Sequence, residues 1–386
     1  GDLYASRLVT ALRKRWPETE FFGCAGARMR EAGVRPVIEA ESLAVVGLIE
    51  VISHIPRIYK QFRKLVRAAE SERPSLAILT DSPDFHLRLA RRLKRLGIPV
   101  VYLVAPQAWA WRKGRVRTMR RTIGRLLCIF PFEEEFFRRH GIHAEYIGHP
   151  LARSIRPTLS KEEFFAKHRI RLDRPLISLL PGSRASEALR HLQPLADAAI
   201  RIHAEAPSNF ILATPAGGLH GLSAAGTTIF RERIARAPIQ VVEGETWDVL
   251  AHSDLALAAS GTVATEAALL GTPTVTFYKV TGISWFLGKF LVRVPFYSMV
   301  NLVAGRAVIP ELMQNEVSGE SIAGTALQLL NNPASREEMR RGLAEIAATL
   351  ASALDPMERS ADVIERFLAF PLEASAERCV TPRGAG

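Results

Sequence analysis

Three short stretches of this sequence carry side chains whose types and spacing suit them for chemistry. In ISLLPGSRASEALR (177–190) an apolar run breaks at Pro181-Gly182-Ser183-Arg184, and a helical pattern follows with Glu187 in its first turn. A strand that turns into a helix through Gly-Ser leaves unpaired backbone N–H groups and the positive helix end aimed at one spot, which suits an anion. Arg184 adds a planar guanidinium matched to two phosphate oxygens at once. Glu187 is spaced to brace the turn, through a loop amide or through Arg184. The GxxxxGK(S/T) pattern of nucleotide-hydrolysing loops is absent, which argues against ATP held in that manner. Alone, the stretch equally describes an ordinary strand-to-helix turn with a surface arginine.

The second stretch, LALAASGTVATEAALLGTPTV (255–275), repeats the arrangement: Ser260-Gly261-Thr262 follow an apolar run and open a helix. Glu266 lies four residues beyond Thr262, on the same helical face. A carboxylate one turn inside an anion-binding helix end is spaced to accept bonds from both hydroxyls of a ribose. The plainer reading is a capped helix with a solvated glutamate. Two such loops, about eighty residues apart, together point to a nucleotide diphosphate.

The third stretch is AILTDSPDFHLRLA (77–90). Asp84 reads as the N-cap of the following helix, a structural task. Asp81, at the end of an apolar run, has no such task and could take a proton from an attacking hydroxyl. His86 is a further candidate, although a histidine in a first helical turn is more often simply exposed.

Apolar runs at 75–81, 98–106, 125–132 and 144–150, then at 176–182, 209–215, 239–244, 255–260 and 272–278, supply the elements that would carry these residues. Runs without polar alternation, separated by helical patterns, predict parallel strands covered on both faces. Two such series predict an α/β protein of two doubly wound, Rossmann-like domains, at 1–155 and 170–330, facing across a cleft. Ligands of such sheets sit beyond the carboxyl ends of the strands, where all three stretches fall. Helices are expected over 335–370 and a loose tail over 371–386.

The chain has 386 residues, 48% hydrophobic and 23% charged, as in soluble globular proteins. Lys plus Arg number 51 against 39 Asp plus Glu, a net charge of +12 that suits a polyanionic partner. The 3 cysteines are scattered and outside metal-ligand spacing, as in reduced cytoplasmic proteins. No apolar run is long enough to span a bilayer and no signal-peptide pattern is visible, so a cytoplasmic location is expected. The segment VAPQAWAWRKGRVRTMRRTIGR (104–125) holds Trp109 and Trp111, then a run of cations without an acid. It reads as a phosphate- or membrane-facing rim or as a solvated helix face; no nucleic-acid-binding signature accompanies it, so nucleic acid is not expected. The stretches 43–67 and 282–302, the latter with Lys289 and Arg293, mix bulky apolar residues with cations and could lie on an anionic lipid surface or in the core.

Taken together, DSPDFHLRLA, VAPQAWAWRKGRV, PFEEEFFRRHGIHAEYIGHPL, LLPGSRASE, ASGTVATEAALLGTPTVTFYKV and NLVAGRAVIPEL occur in the order and spacing of the lipid-A-disaccharide synthases. The resemblance runs from Gly1 to about residue 370. It implies a GT-B glycosyltransferase, inverting and independent of metal or other cofactor. UDP-2,3-diacylglucosamine would donate its sugar to 2,3-diacylglucosamine 1-phosphate, giving a β-1,6-linked disaccharide and UDP. It further implies a peripheral protein on the cytoplasmic face of an anionic inner membrane, and leaves room for a homo-oligomer. Asp81 matches the family's aspartate in DxPDF. Gly182, Ser183, Arg184 and Glu187 match the GSRxxE loop, Ser260, Gly261, Thr262 and Glu266 the nucleotide loop, and Asn301 the NLxAGR motif. The pattern departs at His86, where the family usually has Asn. It departs again at the start: the family opens with a strand and a GExSGD loop, of which Gly1-Asp2 match the end. A missing central strand would expose two strand edges and leave a chain that is unstable or poorly active. A UDP-sugar 2-epimerase, or another UDP-sugar enzyme of the same architecture, is the alternative reading.

Overall fold

Leu, Ile, Val and Ala in unbroken runs can be buried on both faces at once, and here those runs become the parallel strands that carry the loops of interest. The computed structural model describes residues 1–40, 48–110, 114–219, 222–280 and 294–369, with the side chains of 48–55 excepted. Trp111, most of 282–302 including Lys289 and Arg293, and the tail lie outside the described residues.

The chain forms two units; it passes between them at Gly148/His149 and again at Ser352/Ala353, and a short stretch beginning at Trp109 also groups with the second unit. Unit 1 begins with α1 (Asp2–Arg15), β1 (Phe22–Ala25), α2 (Ala27–Glu31), β2 (Arg35–Glu39) and α3 (Leu48–Glu72). It continues through β3 (Ala77–Thr80), α4 (Pro83–Arg95), β4 (Val100–Leu103), α5 (Gly114–Thr122), β5 (Arg125–Cys128), α6 (Pro131–Arg139) and β6 (Ala144–Tyr146). Its strands fall into two parallel sheets, β1-β2 and β3-β4-β5-β6. Helix α4 shows how the sequence positions the first site. Pro83 opens it with a preset φ, Leu87, Leu89, Ala90 and Leu93 are buried, and the arginines point outward.

Unit 2 contains α7 (Lys161–His168), β7 (Leu176–Leu180), α8 (Ala185–Glu205), β8 (Asn209–Thr214), α9 (Ala224–Ala235), β9 (Ile239–Glu243) and α10 (Thr246–His252). Then come β10 (Leu255–Ala259), α11 (Thr262–Leu269), β11 (Thr274–Tyr278), α12 (Met299–Ala304), β12 (Glu311–Met313), α13 (Gly319–Asn331) and α14 (Pro333–Leu350). Its sheet has six parallel strands in the order β12-β11-β10-β7-β8-β9. The chain therefore runs outward from β7 in one direction, returns to β10, and runs outward in the other. Strands β7 and β10 are buried at every position, and Leu255–Ala258 pair with Ile177–Leu180. The order reverses between these two strands, the place where open α/β sheets bind ligands.

The last helix among the described residues, α15 (Pro356–Ala369), returns to unit 1 and packs on α1. Arg15 fastens it, reaching Asp362 at 2.7 Å, Glu365 at 3.0 Å and Glu358 at 3.2 Å. Phe367 lies against Gly124, where a Cβ would come within 2.4 Å of the ring.

Two acidic side chains at helix starts bind a neighbouring helix instead of capping their own, and for Asp84 this corrects the expectation above. Asp2 does not cap its own helix: Gly1 is the N-cap, and the Asp2 carboxylate instead accepts from the Arg28 and Met29 amides at the start of α2. Asp84 does not cap α4 either. Ser82 is the N-cap, and Asp84 accepts from Arg115 on α5 at 2.7 Å.

Candidate functional site

In unit 1, Asp81 follows β3 directly, and both it and Ser82 adopt left-handed backbone angles, φ 61° and 36°. Non-glycine residues there are strained unless the surroundings hold them. Two side chains do so from within the unit. The buried Tyr102 hydroxyl donates to the Asp81 carbonyl, and His86 Nδ1 donates to the same oxygen at 2.9 Å. Burial pushes the Tyr102 phenol up and the His86 imidazole down, so both remain neutral donors near pH 7. His86 is therefore half-buried support for the turn rather than a solvated first-turn residue. The Asp81 carboxylate stays 74% exposed. Its Oδ1 accepts from the Ser82 amide at 2.9 Å, and the Gly1 amino group lies 3.9 Å from Oδ2. The peptide is clamped while the acid remains accessible.

In unit 2, the GSR and SGT loops end neighbouring strands, so they lie side by side: a Cβ on Gly182 would stand 3.9 Å from that of Ala259. Gly182 has φ +114°, and the same Cβ would meet Glu187 at 3.2 Å, so glycine is required by both backbone and space. Helices α8 and α11 begin after Arg184 and Gly261 without a side-chain cap. Serine or asparagine side chains cap α7, α9, α12, α13 and α14, while α10, away from the sheet reversal, also begins without a side-chain cap. The two helix ends at the point of sheet reversal thus keep amides that a ligand can use.

The side chains around these ends are tied together. Glu187 Oε1 accepts from Arg184 Nη1 and from the Tyr278 hydroxyl, each at 3.1 Å. Of the two braces foreseen for Glu187, the arginine is the one found. Arg184 remains 74% exposed, its guanidinium held at the loop yet open to solvent. His191, one turn beyond Glu187 and fully buried, donates through Nδ1 to the Pro181 carbonyl at 2.8 Å and accepts the Lys279 amide on Nε2 at 3.1 Å. It joins the loop after β7 to the end of β11. Burial holds its pKa down, keeping the neutral form this pattern needs.

Glu266 does project from the second turn of α11. Its Oε2 accepts from Trp247 Nε1 at 3.0 Å, and burial raises its pKa. Oε1 has no partner among the described residues, leaving one acceptor for a ligand hydroxyl. Ser183 and Thr262 are exposed; the Ser260 amide is used, donating to the Phe277 carbonyl at 2.8 Å, and its hydroxyl makes a long bond, 3.4 Å, to the Tyr297 carbonyl.

Asn301 is different from what its motif implied. It is 1% exposed and its amide is saturated: Nδ2 donates to Ile309 O and Glu311 Oε1, and Oδ1 accepts from the Val308 and Ile309 amides. No polar atom is left for a substrate. Its effect passes through Glu311, which also accepts from the Tyr297 and Ser298 amides and so shapes the chain beside Ser260.

His191, Tyr278 and Trp247 were missed in the sequence. The first had a readable signal, standing four residues after Glu187 on one helix face, and the second closes an apolar strand. Nothing marks Trp247, which meets Glu266 from another helix.

The fold defined by these two Rossmann-like units of parallel strands and helices is that of GT-B sugar-nucleotide enzymes. The calicheamicin glycosyltransferase structure superposes with a TM-score of 0.57 at 17% identity, covering 96% of this chain and 95% of that one. The UDP-GlcNAc 2-epimerase of Neisseria meningitidis, solved bound to UDP-GlcNAc, gives 0.60 at 12% identity, covering 96% and 97%. The family model for lipid-A-disaccharide synthetase matches residues 1–360. A lipid-A-disaccharide synthase of Solibacter usitatus is 62% identical over 368 residues, 95% of each chain. The chain belongs to the lipid-A-disaccharide synthase family and is a glycosyltransferase. The epimerase reading is not favoured, because its support is likeness of fold alone.

Proposed function

We propose that the protein transfers the diacylglucosamine unit of UDP-2,3-diacylglucosamine to the 6-hydroxyl of 2,3-diacylglucosamine 1-phosphate, releasing UDP and forming the β-1,6 disaccharide. The observation that carries this reading is the pair of helix ends without side-chain caps on adjacent strands β7 and β10, at the reversal of sheet order. Amides after Gly182-Ser183-Arg184 and Ser260-Gly261-Thr262 receive the diphosphate, and the Arg184 guanidinium adds charge as the leaving group develops it. Glu187, Tyr278 and His191 fix the first loop. Glu266, oriented by Trp247, takes a ribose hydroxyl. Asp81 serves as the general base. The acceptor oxygen forms its bond to the anomeric carbon from the face opposite the diphosphate, its proton passes to Asp81, and the bond to UDP breaks.

Both substrates are acylated and phosphorylated, so the enzyme works at the cytoplasmic surface of an anionic membrane. No described helix is long and apolar enough to cross a bilayer, and the net charge of +12 favours attachment from one side. The test is incubation with both diacylated substrates, following disaccharide and UDP by mass spectrometry. Release of UDP coupled to disaccharide is expected. A 2-epimerised UDP-sugar with no disaccharide would refute the proposal.

A further inference from the structure

An open groove of about 870 Å³ runs between α4 and α5 in unit 1 and serves none of the roles above. Both helices follow strands of one parallel sheet, so they run the same way, and Asp84–Arg115 ties their first turns at 2.7 Å. Arg91, Lys94 and Arg95 line the groove from α4, and Arg117 and Arg121 line it from α5. The rest of the lining is threonine and glycine, with no carboxylate and no bulky apolar side chain. Two of the cations are fixed in place: Arg91 donates to Thr118 Oγ1 at 2.7 Å, and Lys94 donates to the Arg121 carbonyl.

Like charges one turn apart weaken a helix, and here Arg91/Arg95 and Arg117/Arg121 stand at that spacing on facing helices. Some exposed arginines elsewhere are neutralised, Arg138 and Arg139 by Glu134 and Glu135, Arg171 by Asp173 and Arg306 by Glu345, and others, such as Arg201 and Arg236, stand singly; the groove differs in gathering its cations on two facing helices. None of the five groove cations has a salt-bridge partner among the described residues. Two facing rows of unneutralised cations with hydroxyls between them attract anions, most strongly anions held close together on a common framework. One small phosphate meets two or three such groups at most, whereas a sheet of headgroups meets all of them.

We propose that the α4–α5 groove is the face by which this protein docks on a bilayer of anionic phospholipid, its cations taking the headgroup phosphates. This rests on the reading that the substrates are membrane-borne, and it names the surface that reaches them. The contact is electrostatic, without insertion of apolar side chains, so salt weakens it.

The test compares the full chain with the variant R91Q/K94Q/R117Q/R121Q. A control, R201Q/R231Q/R236Q/R341Q, removes the same charge from exposed positions in unit 2. Each is sedimented with phosphatidylcholine vesicles, with and without phosphatidylglycerol. Partitioning onto phosphatidylglycerol vesicles should fall roughly fivefold per groove charge, some hundreds-fold in all, while the control changes by only a few-fold. The groove variant should melt at or above the parent temperature, since repulsion is relieved, and should keep its turnover on substrates dispersed in nonionic detergent. Three outcomes would overturn the proposal: undiminished binding by the groove variant, an equal loss in the control, or loss of inorganic diphosphate or duplex DNA binding with vesicle binding intact. Absence of disaccharide from the parent protein in detergent would refute the catalytic reading instead, whatever the vesicles show.

Discussion

Asp81 and Glu187 are both carboxylates beyond the carboxyl end of a parallel strand, yet they are held in opposite ways. At Asp81 the neighbours grip the peptide, through Tyr102 and His86, and leave the acid exposed. At Glu187 the acid itself is taken up by Arg184 and Tyr278 and is 17% exposed. The difference is what two tasks demand. A group that exchanges a proton with a substrate needs an oxygen that solvent and substrate can reach at a fixed point, whereas a group that shapes a phosphate loop works by being taken up by its neighbours.

The strongest test of that contrast is Asp81→Asn, which tolerates the same left-handed backbone and removes only the base. Turnover should drop by about 10²–10⁴-fold with the melting temperature and UDP affinity retained. Weak UDP binding in a calorimeter would place Asp81 among the engaged carboxylates instead. Arg184→Ala should follow, lowering turnover roughly 10²–10³-fold by removing charge from the leaving diphosphate. A near-normal rate would reduce Arg184 to a brace for Glu187.

Acid sharpens the comparison further, because unit 2 relies on buried neutral histidines. His149, whose Nδ1 accepts the Leu151 amide, is held down to about 4 by burial, against an ordinary value of 6.5. The unfolded chain takes up that proton first, so the contribution is complete above pH 6.5 and is lost as pH falls toward 4. Chemical denaturation across that range should show a decline on the order of 3 kcal/mol, flattened in His149→Gln. His191 acts with the same sign. The smallest effect is expected for Trp247→Phe, which frees Glu266 from its orienting donor and should weaken UDP binding about tenfold without touching Asp81-dependent chemistry.

The strands with unbroken apolar runs were legible in the sequence, as were the turns after them, because burial on both faces leaves little choice of residue. Strands β1, β2 and β12 were not. FGCA contains Gly23 and is mostly half-buried, RPVIE carries Pro36 and buries only Ile38, and ELM is three residues long with none buried. Glu187 and Glu266 could be found from their spacing within one helix. Their partners could not, since Tyr278 lies 91 residues from Glu187 and comes near only through the order of the strands. Asn301 misled for a related reason: a motif gives a residue's position but not which of its hydrogen bonds the protein has already used.

The return of α15 to α1 governs how the chain can be made. Arg15 waits for Glu365, 350 residues later, and the surface of α1 that α15 covers stays bare until those residues have been made. Unit 2, which ends its own packing with α14, can finish while unit 1 still lacks its closing piece. The unit whose strands are made before those of unit 2 is therefore the later one to mature, and the nascent protein must keep that apolar seam from pairing elsewhere in the meantime.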